Sequence, residues 1–153
     1  MANSDFTTRF HTTATPQQAY DTICNVAAWW CPEFSGKAQN AGDVFSVRFG
    51  DLHYSVQQLT EAIPGKRIVW EVTESNLTFL SQPDEWTGSR IQFDISAHDG
   101  NTIIHFTHLG LRPGIECYDA CSGAWGQYIA YSLISMLNGG KGQPGFPPAG
   151  PLA

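Results

Sequence analysis

With 153 residues, 42% of them hydrophobic, the chain is long enough to bury one core without disulfide or metal staples. Eight Lys and Arg stand against 14 Asp and Glu, a net charge of −6, and no basic cluster occurs. This excludes a protein that tracks a nucleic-acid backbone. Only 14% of residues are charged while 12% are aromatic, with five Trp in all, which points to a large ring-rich interior.

The opening segment "MANSDFTTRF" carries no apolar run, so neither a signal peptide nor a membrane span is expected there. Four cysteines without such a leader favour free thiols, a reducing compartment and a cytoplasmic location.

Within that segment "DFTTRFH" alternates as a first strand. "TATPQQAYDTIC" then reads as a helix, with Thr15 as cap, Pro16 at the first helical position and Gln18 three residues after the cap. A second short turn through "NVAAWW" stops at Pro32. From Gly42 the period becomes two, and "DVFSVRFG", "HYSVQQLTEA", "KRIVWEV", "LTFL", "SRIQFDISA" and "TIIHFTHLG" follow as strands. Their connectors are short and carry turn formers such as Pro64-Gly65 and Asp99-Gly100. Hairpins fit such spacing and crossover helices do not, so the sheet is antiparallel. After "GLRPG" a long helical pattern runs from about Ile115 to Leu137.

The predicted class is therefore α+β: a seven-stranded antiparallel sheet wrapped around a long C-terminal helix, with two short helices after strand 1. The helix must bury a face, and the concave side of the sheet is the surface available to it. Residues 1–142 form the one predicted domain, and 143–153 a flexible Gly/Pro-rich tail.

On the helix, Tyr118, Cys121, Trp125, Ile129, Ser132 and Met136 share a stripe, with Cys117 and Tyr128 at its edge. Sulfur, hydroxyl and amphipathic rings stand where a simple core would carry Leu and Ile, which suits the wall of a pocket. Parity supplies the opposing wall. The rows Phe45–Val47–Phe49, Ile91–Phe93–Ile95 and Ile104–Phe106–His108 point inward, as does Trp70 between Ile68 and Val72. On the strand after Phe49, Tyr54 with Val56 is the inward choice, and Leu59 then requires a bulge. The adjacent pair Trp29 and Trp30 cannot be wholly buried on one helix face, so it either exposes aromatic surface or packs one ring inward with the other covering the cavity mouth. The candidate ligand-binding residues are Trp30, Phe45, Tyr54, Trp70, Phe93, His108, Tyr118, Cys121 and Trp125.

"ECYDACSGAW" and "HFTH" pose a separate question, because Cys117, Cys121, His105 and His108 look like a metal set. His105 and His108 lie an odd step apart on a strand and face opposite ways. No C-x-x-C spacing occurs, so no metal site is expected. Cys117 and Cys121 are one helical turn apart, either as packing and cavity wall or as a thiol pair. Nucleophile elbows, phosphate loops and dinucleotide fingerprints are absent from the sequence, so neither a cofactor nor a catalytic residue is assigned. A proton-carrying His108 beside a tyrosine remains the enzymatic alternative.

The order of "TPQQAYDTI", "WW" followed by "FSG", "GDVFSVRFGD", "PGKRIVWEV", "EWTGSRIQFDI" and "TIIHFTHLGL" resembles the START-like, or SRPBCC, helix-grip superfamily. Its local sequence looks like the branch related to the activator of heat-shock protein 90 ATPase. The resemblance covers about residues 5–142. It implies a cavity between helix and sheet that takes a hydrophobic small molecule, and alternatively a protein-interaction module with a chaperone partner.

Overall fold

Thr15 begins the first helix as its sequence predicts. Its Oγ1 accepts from the Gln18 N–H at 3.1 Å, and the Gln18 side chain accepts from the Thr15 N–H at 2.8 Å. This reciprocal cap opens α1 (Pro16–Cys24), and α2 (Val26–Trp29) follows at once. The structure, a computed structural model, describes residues 5–145.

Seven strands, β1 (Phe6–Thr12), β2 (Phe34–Gly36), β3 (Val44–Phe49), β4 (His53–Ile63), β5 (Arg67–Leu77), β6 (Arg90–His98) and β7 (Asn101–Leu109), form one antiparallel sheet. Its order is β1-β7-β6-β5-β4-β3-β2, so every strand from β2 to β7 lies beside its sequence neighbour. Strand β1 closes the far edge against β7.

The count of seven is as predicted, but one member differs. "LTFL" is not a strand of its own: β5 continues through Leu77, and the chain then turns, with the Leu77 N–H bonded to the Pro83 carbonyl at 2.8 Å. The seventh strand is "FSG", whose Phe34 pairs with Val47. Three residues are too few to show a period.

The C-terminal helix starts with α3 (Tyr118–Tyr128), passes through a π-helical turn (Ile129–Leu133) and ends with α4 (Ile134–Leu137). It begins later than the apolar pattern because Glu85, from the β5–β6 connection, supplies its cap. The Glu85 carboxylate accepts from the N–H groups of Glu116 and Cys117 at 3.1 and 3.0 Å. Glu116 in return accepts the Ser81 N–H at 2.9 Å. The π turn adds one residue to the buried stripe. Trp125, Ile129 and Ser132 are buried as predicted, but Leu133 and Leu137 are buried as well and Met136 is half-exposed.

After α4 the chain folds back over α2. The Ser132 hydroxyl donates to the Trp29 carbonyl at 2.7 Å and accepts from the Gln143 N–H at 2.6 Å. The Gly145 N–H donates to the Trp30 carbonyl at 2.9 Å, and the Tyr128 hydroxyl donates to the Gly145 carbonyl. A Cβ on Gly142 would collide with the Ala28 carbonyl, so this close approach needs glycine. Of the tail predicted to be flexible, residues 143–145 are thus docked, and 146–153 lie outside the described residues.

All five tryptophans meet in the space between sheet and helix. Trp30 stacks on Trp70 at 5.8 Å and lies 4.9 Å from Trp125, which in turn stacks on Trp86 at 6.1 Å and neighbours Trp29 at 6.5 Å. Both members of the Trp29–Trp30 pair are buried, at 0% and 2% exposed, so neither forms the exposed aromatic surface that an adjacent pair suggests.

Candidate functional site

An apolar cavity of about 210 Å³ lies beside this cluster, under the first half of the C-terminal helix. The helix contributes Ala120, Cys121, Ala124, Trp125 and Tyr128, residues spaced three or four apart so that they share a face. Opposite stand Phe49, Leu52 and His53 from the end of β3 and the start of β4, with Trp30 behind them. The β5–β6 connection closes the side with Phe79 and Trp86. Leu52 and Phe79 are 48% and 47% exposed, and they mark the mouth. They are held together by the Thr78 N–H, which donates to the Leu52 carbonyl at 3.0 Å.

The candidate residues divide into three groups. Trp30, Cys121 and Trp125 line the cavity. Phe45, Trp70, Phe93 and His108 are inward but packed beneath it, filled in by rings: Phe45 and Phe93 each meet the Trp70 ring, at 5.0 and 5.1 Å. Tyr54 and Tyr118 lie outside it.

For Tyr54 the parity is reversed. On β4 the inward row is His53, Ser55, Gln57 and Leu59, and Tyr54 instead lies under the Arg48 guanidinium at 4.6 Å. The inward row carries three polar residues and the outward row Tyr54 and Val56, so hydrophobicity alone selects the wrong face. Leu59 keeps parity with the inward His53, Ser55 and Gln57, because the slip in pairing between Val56 and Gln57 skips Thr73 on β5 and adds no residue to β4. The irregularities of pairing fall between Val56 and Gln57 and between Leu59 and Glu61. Ser55 and Gln57 are both fully buried: the Gln57 amide N–H donates to the Ser55 hydroxyl at 2.6 Å and His53 Nε2 bonds that hydroxyl at 2.7 Å, while Gln57 Oε1 is left without a partner. His53, Phe49, Leu52, Phe79 and Trp86 are thus the wall residues that the sequence reading misses.

His108 is fully buried, and its protonation can be deduced. The Trp125 indole can only donate, and it donates to His108 Nδ1 at 3.0 Å. Nδ1 therefore has no proton, and Nε2 carries it toward the Ser89 hydroxyl at 2.9 Å. Ser89 in turn donates to the Trp86 carbonyl at 2.6 Å. Every partner in this chain is committed, and burial holds the imidazole neutral, its pKa lowered to about 3 with a further contribution from His53. This network ties β7, the helix and the β5–β6 connection together. His108 is therefore a structural residue with no free nitrogen for proton transfer.

His53 is half-buried by area, but its ring is enclosed edge-on by Trp86 at 4.8 Å, Phe49 at 5.1 Å and Trp30 at 6.2 Å. Desolvation lowers its pKa to about 3, so it too is neutral at pH 7. The cavity then holds no ionised histidine, which suits an uncharged guest.

Cys117 and Cys121 are both buried free thiols. Hydrogen bonding between the two side chains holds the Cys121 pKa down and pushes that of Cys117 up. Among the described residues no group of three or more His, Cys, Asp or Glu side chains is placed to hold a metal ion. No helix among them is long and apolar enough to cross a membrane.

No family model and no curated protein sequence matches the chain. Solved structures do. The Aha1 dimer from Colwellia psychrerythraea, solved in solution, superposes with a TM-score of 0.75 at 23% identity, covering 91% of this chain and 99% of that one. Protein SSP2350 from Staphylococcus saprophyticus gives 0.68 at 10% identity over 92% and 98% of the two chains. CalU16 from Micromonospora echinospora gives 0.61 at 13% identity over 86% and 73%. At such identities the likeness concerns architecture, and it agrees with the sheet order and helix placement described above: the chain has a helix-grip fold, a seven-stranded antiparallel sheet around a C-terminal helix.

Proposed function

We propose that the protein binds an uncharged apolar or aromatic small molecule in the cavity between helix and sheet. The observation that carries this reading is the cavity itself, walled by Trp30, Phe49, Trp86 and Trp125 and open between Leu52 and Phe79. Core packing ordinarily leaves few voids larger than a water molecule, and an apolar cavity of ~150 Å³ accepts benzene. The space here suits a guest on the order of ten heavy atoms by that comparison. Micromolar binding of such a guest requires about 0.8 kcal/mol per heavy atom, within the range that small ligands reach.

Titration with 4-phenylbutan-2-one, read by tryptophan fluorescence and native mass spectrometry, tests the reading. Saturable quenching and a one-to-one adduct are expected, both abolished by Ala124→Trp, which fills the cavity from the helix. Binding that survives that substitution places the guest elsewhere and ends the proposal.

The exposed pair Leu52 and Phe79 favours a second reading, a protein-contact face of the kind that the chaperone-activator resemblance implies. One structurally similar protein is an Aha1 dimer. Light scattering and heat-shock protein 90 pull-down on wild type and Leu52→Ser/Phe79→Ser separate the two readings. The contact reading predicts association that the double substitution abolishes.

A further inference from the structure

We infer that Cys121 is a nucleophile built into the cavity wall, and that it captures an uncharged α,β-unsaturated carbonyl compound by conjugate addition. This rests on the reading of the cavity as a small-molecule site, and it adds the class of guest and the bond formed.

Position singles out one thiol of four. Cys121 lines the cavity, whereas Cys24, Cys31 and Cys117 are buried away from it. Cys31 in addition donates to the Arg48 carbonyl at 3.1 Å.

Three features then act on the Cys121 sulfur. Cys117 stands one helical turn earlier, held in register by the Cys121 N–H bonded to the Cys117 carbonyl at 2.7 Å. The Trp86 indole N–H, on a side chain 5% exposed that lines the same cavity, has no hydrogen-bond partner, and it is a donor able to lower the Cys121 pKa. The sulfur also lies in the opening turn of α3, at the positive end of the helix dipole. The Cys117 hydrogen bond is the largest of the influences that lower the Cys121 pKa, working against burial and the Glu85 carboxylate. Glu85 is the charged group that faces the pair from the β5–β6 connection, and His53, across the cavity on β4, is neutral.

A disulfide between the two cysteines is disfavoured, because side chains at i and i+4 of a continuous helix point the same way. Conjugate addition needs no such distortion. The thiol proton leaves toward the cavity mouth, and the sulfur electron pair forms the S–C bond at the β-carbon. The alkene π pair moves into the enolate, and a proton returns at the α-carbon. Nothing is oxidised and no group departs.

The probe is (E)-4-phenylbut-3-en-2-one, with 4-phenylbutan-2-one as the saturated counterpart that can bind but not react. Intact mass and peptide mapping of the native full chain should find one adduct, on Cys121. Its rate should saturate with probe concentration and fall when the saturated ketone is added. Cys121→Ser and Cys121→Ala, checked for native near-ultraviolet circular dichroism, should abolish it. Cys117→Ala should slow it about threefold, since the loss of thiolate is partly offset by greater nucleophilicity, and should move the inflection of the rate against pH upward. An adduct spread over several cysteines, or one that persists without Cys121, overturns the inference. So does absence of any adduct while the saturated ketone still quenches tryptophan fluorescence, an outcome that leaves the binding proposal standing. Absence of both reaction and quenching overturns both.

Discussion

Two histidines stand on either side of the Trp86 ring, each 4.8 Å from its centroid and edge-on at 87°. They share a neighbour, and burial lowers the pKa of both to about 3. His108 is fully buried, with both nitrogens bound in a chain that runs from Trp125 through Ser89 to the Trp86 carbonyl. His53 lies on the cavity wall and has one hydrogen-bonded neighbour in Ser55. The contrast separates two uses of the same interior. One part is closed and structural, and the other borders the apolar cavity that opens between Leu52 and Phe79.

The largest effect should come from breaking the closed side. His108→Ala leaves the Trp125 N–H and Ser89 without their partner in a fully packed place, at a cost of about 3 kcal/mol. His53→Ala enlarges an existing space and should cost about 1 kcal/mol. Urea unfolding of both variants checks the comparison, and equal losses would refute it.

Acid acts on both histidines alike. In the folded chain His108 stays neutral down to about pH 3, while in the unfolded chain it protonates near 6.5. Below pH 6.5 the unfolded state therefore binds more protons. The stabilisation is complete above that value and is lost as the pH falls toward 3. From pH 7 to 5 His108 alone should account for about 2 kcal/mol. Denaturant midpoints measured across that interval should fall, and His108→Gln should flatten the decline.

On the open side, Ala124→Leu should weaken binding of 4-phenylbutan-2-one at least tenfold, about 1.4 kcal/mol, with little change in thermal midpoint. The smallest expected effect is at the helix cap. Glu85→Gln exchanges a carboxylate for a neutral amide at the N–H groups of Glu116 and Cys117, which should cost about 1 kcal/mol of stability by thermal unfolding.

What the sequence makes legible follows from period. Phe45–Val47–Phe49, Ile91–Phe93–Ile95 and Ile104–Phe106–His108 alternate without interruption, and all nine are buried. Where the pattern is short or inverted the reading slips. "FSG" is too brief to register as a strand, and β4 turns its polar row inward, which hides His53 and misplaces Tyr54. The mouth residues Leu52 and Phe79 belong to connections, where no period exists to place them.

The chain by itself determined the helix-grip architecture, because caps, turns and alternation are local and each constrains only its neighbours. It also determined that five tryptophans had to find an interior. Only the tertiary structure decided which of those rings fill the core and which border a cavity. That outcome depends on how α2, the β5–β6 connection and a π turn in the last helix set side chains from distant segments against one another. It also decided the surroundings of His108 and Cys121. Whether an imidazole nitrogen is engaged or a thiol borders a cavity depends on partners up to 36 positions away, and no local pattern of residues encodes that meeting.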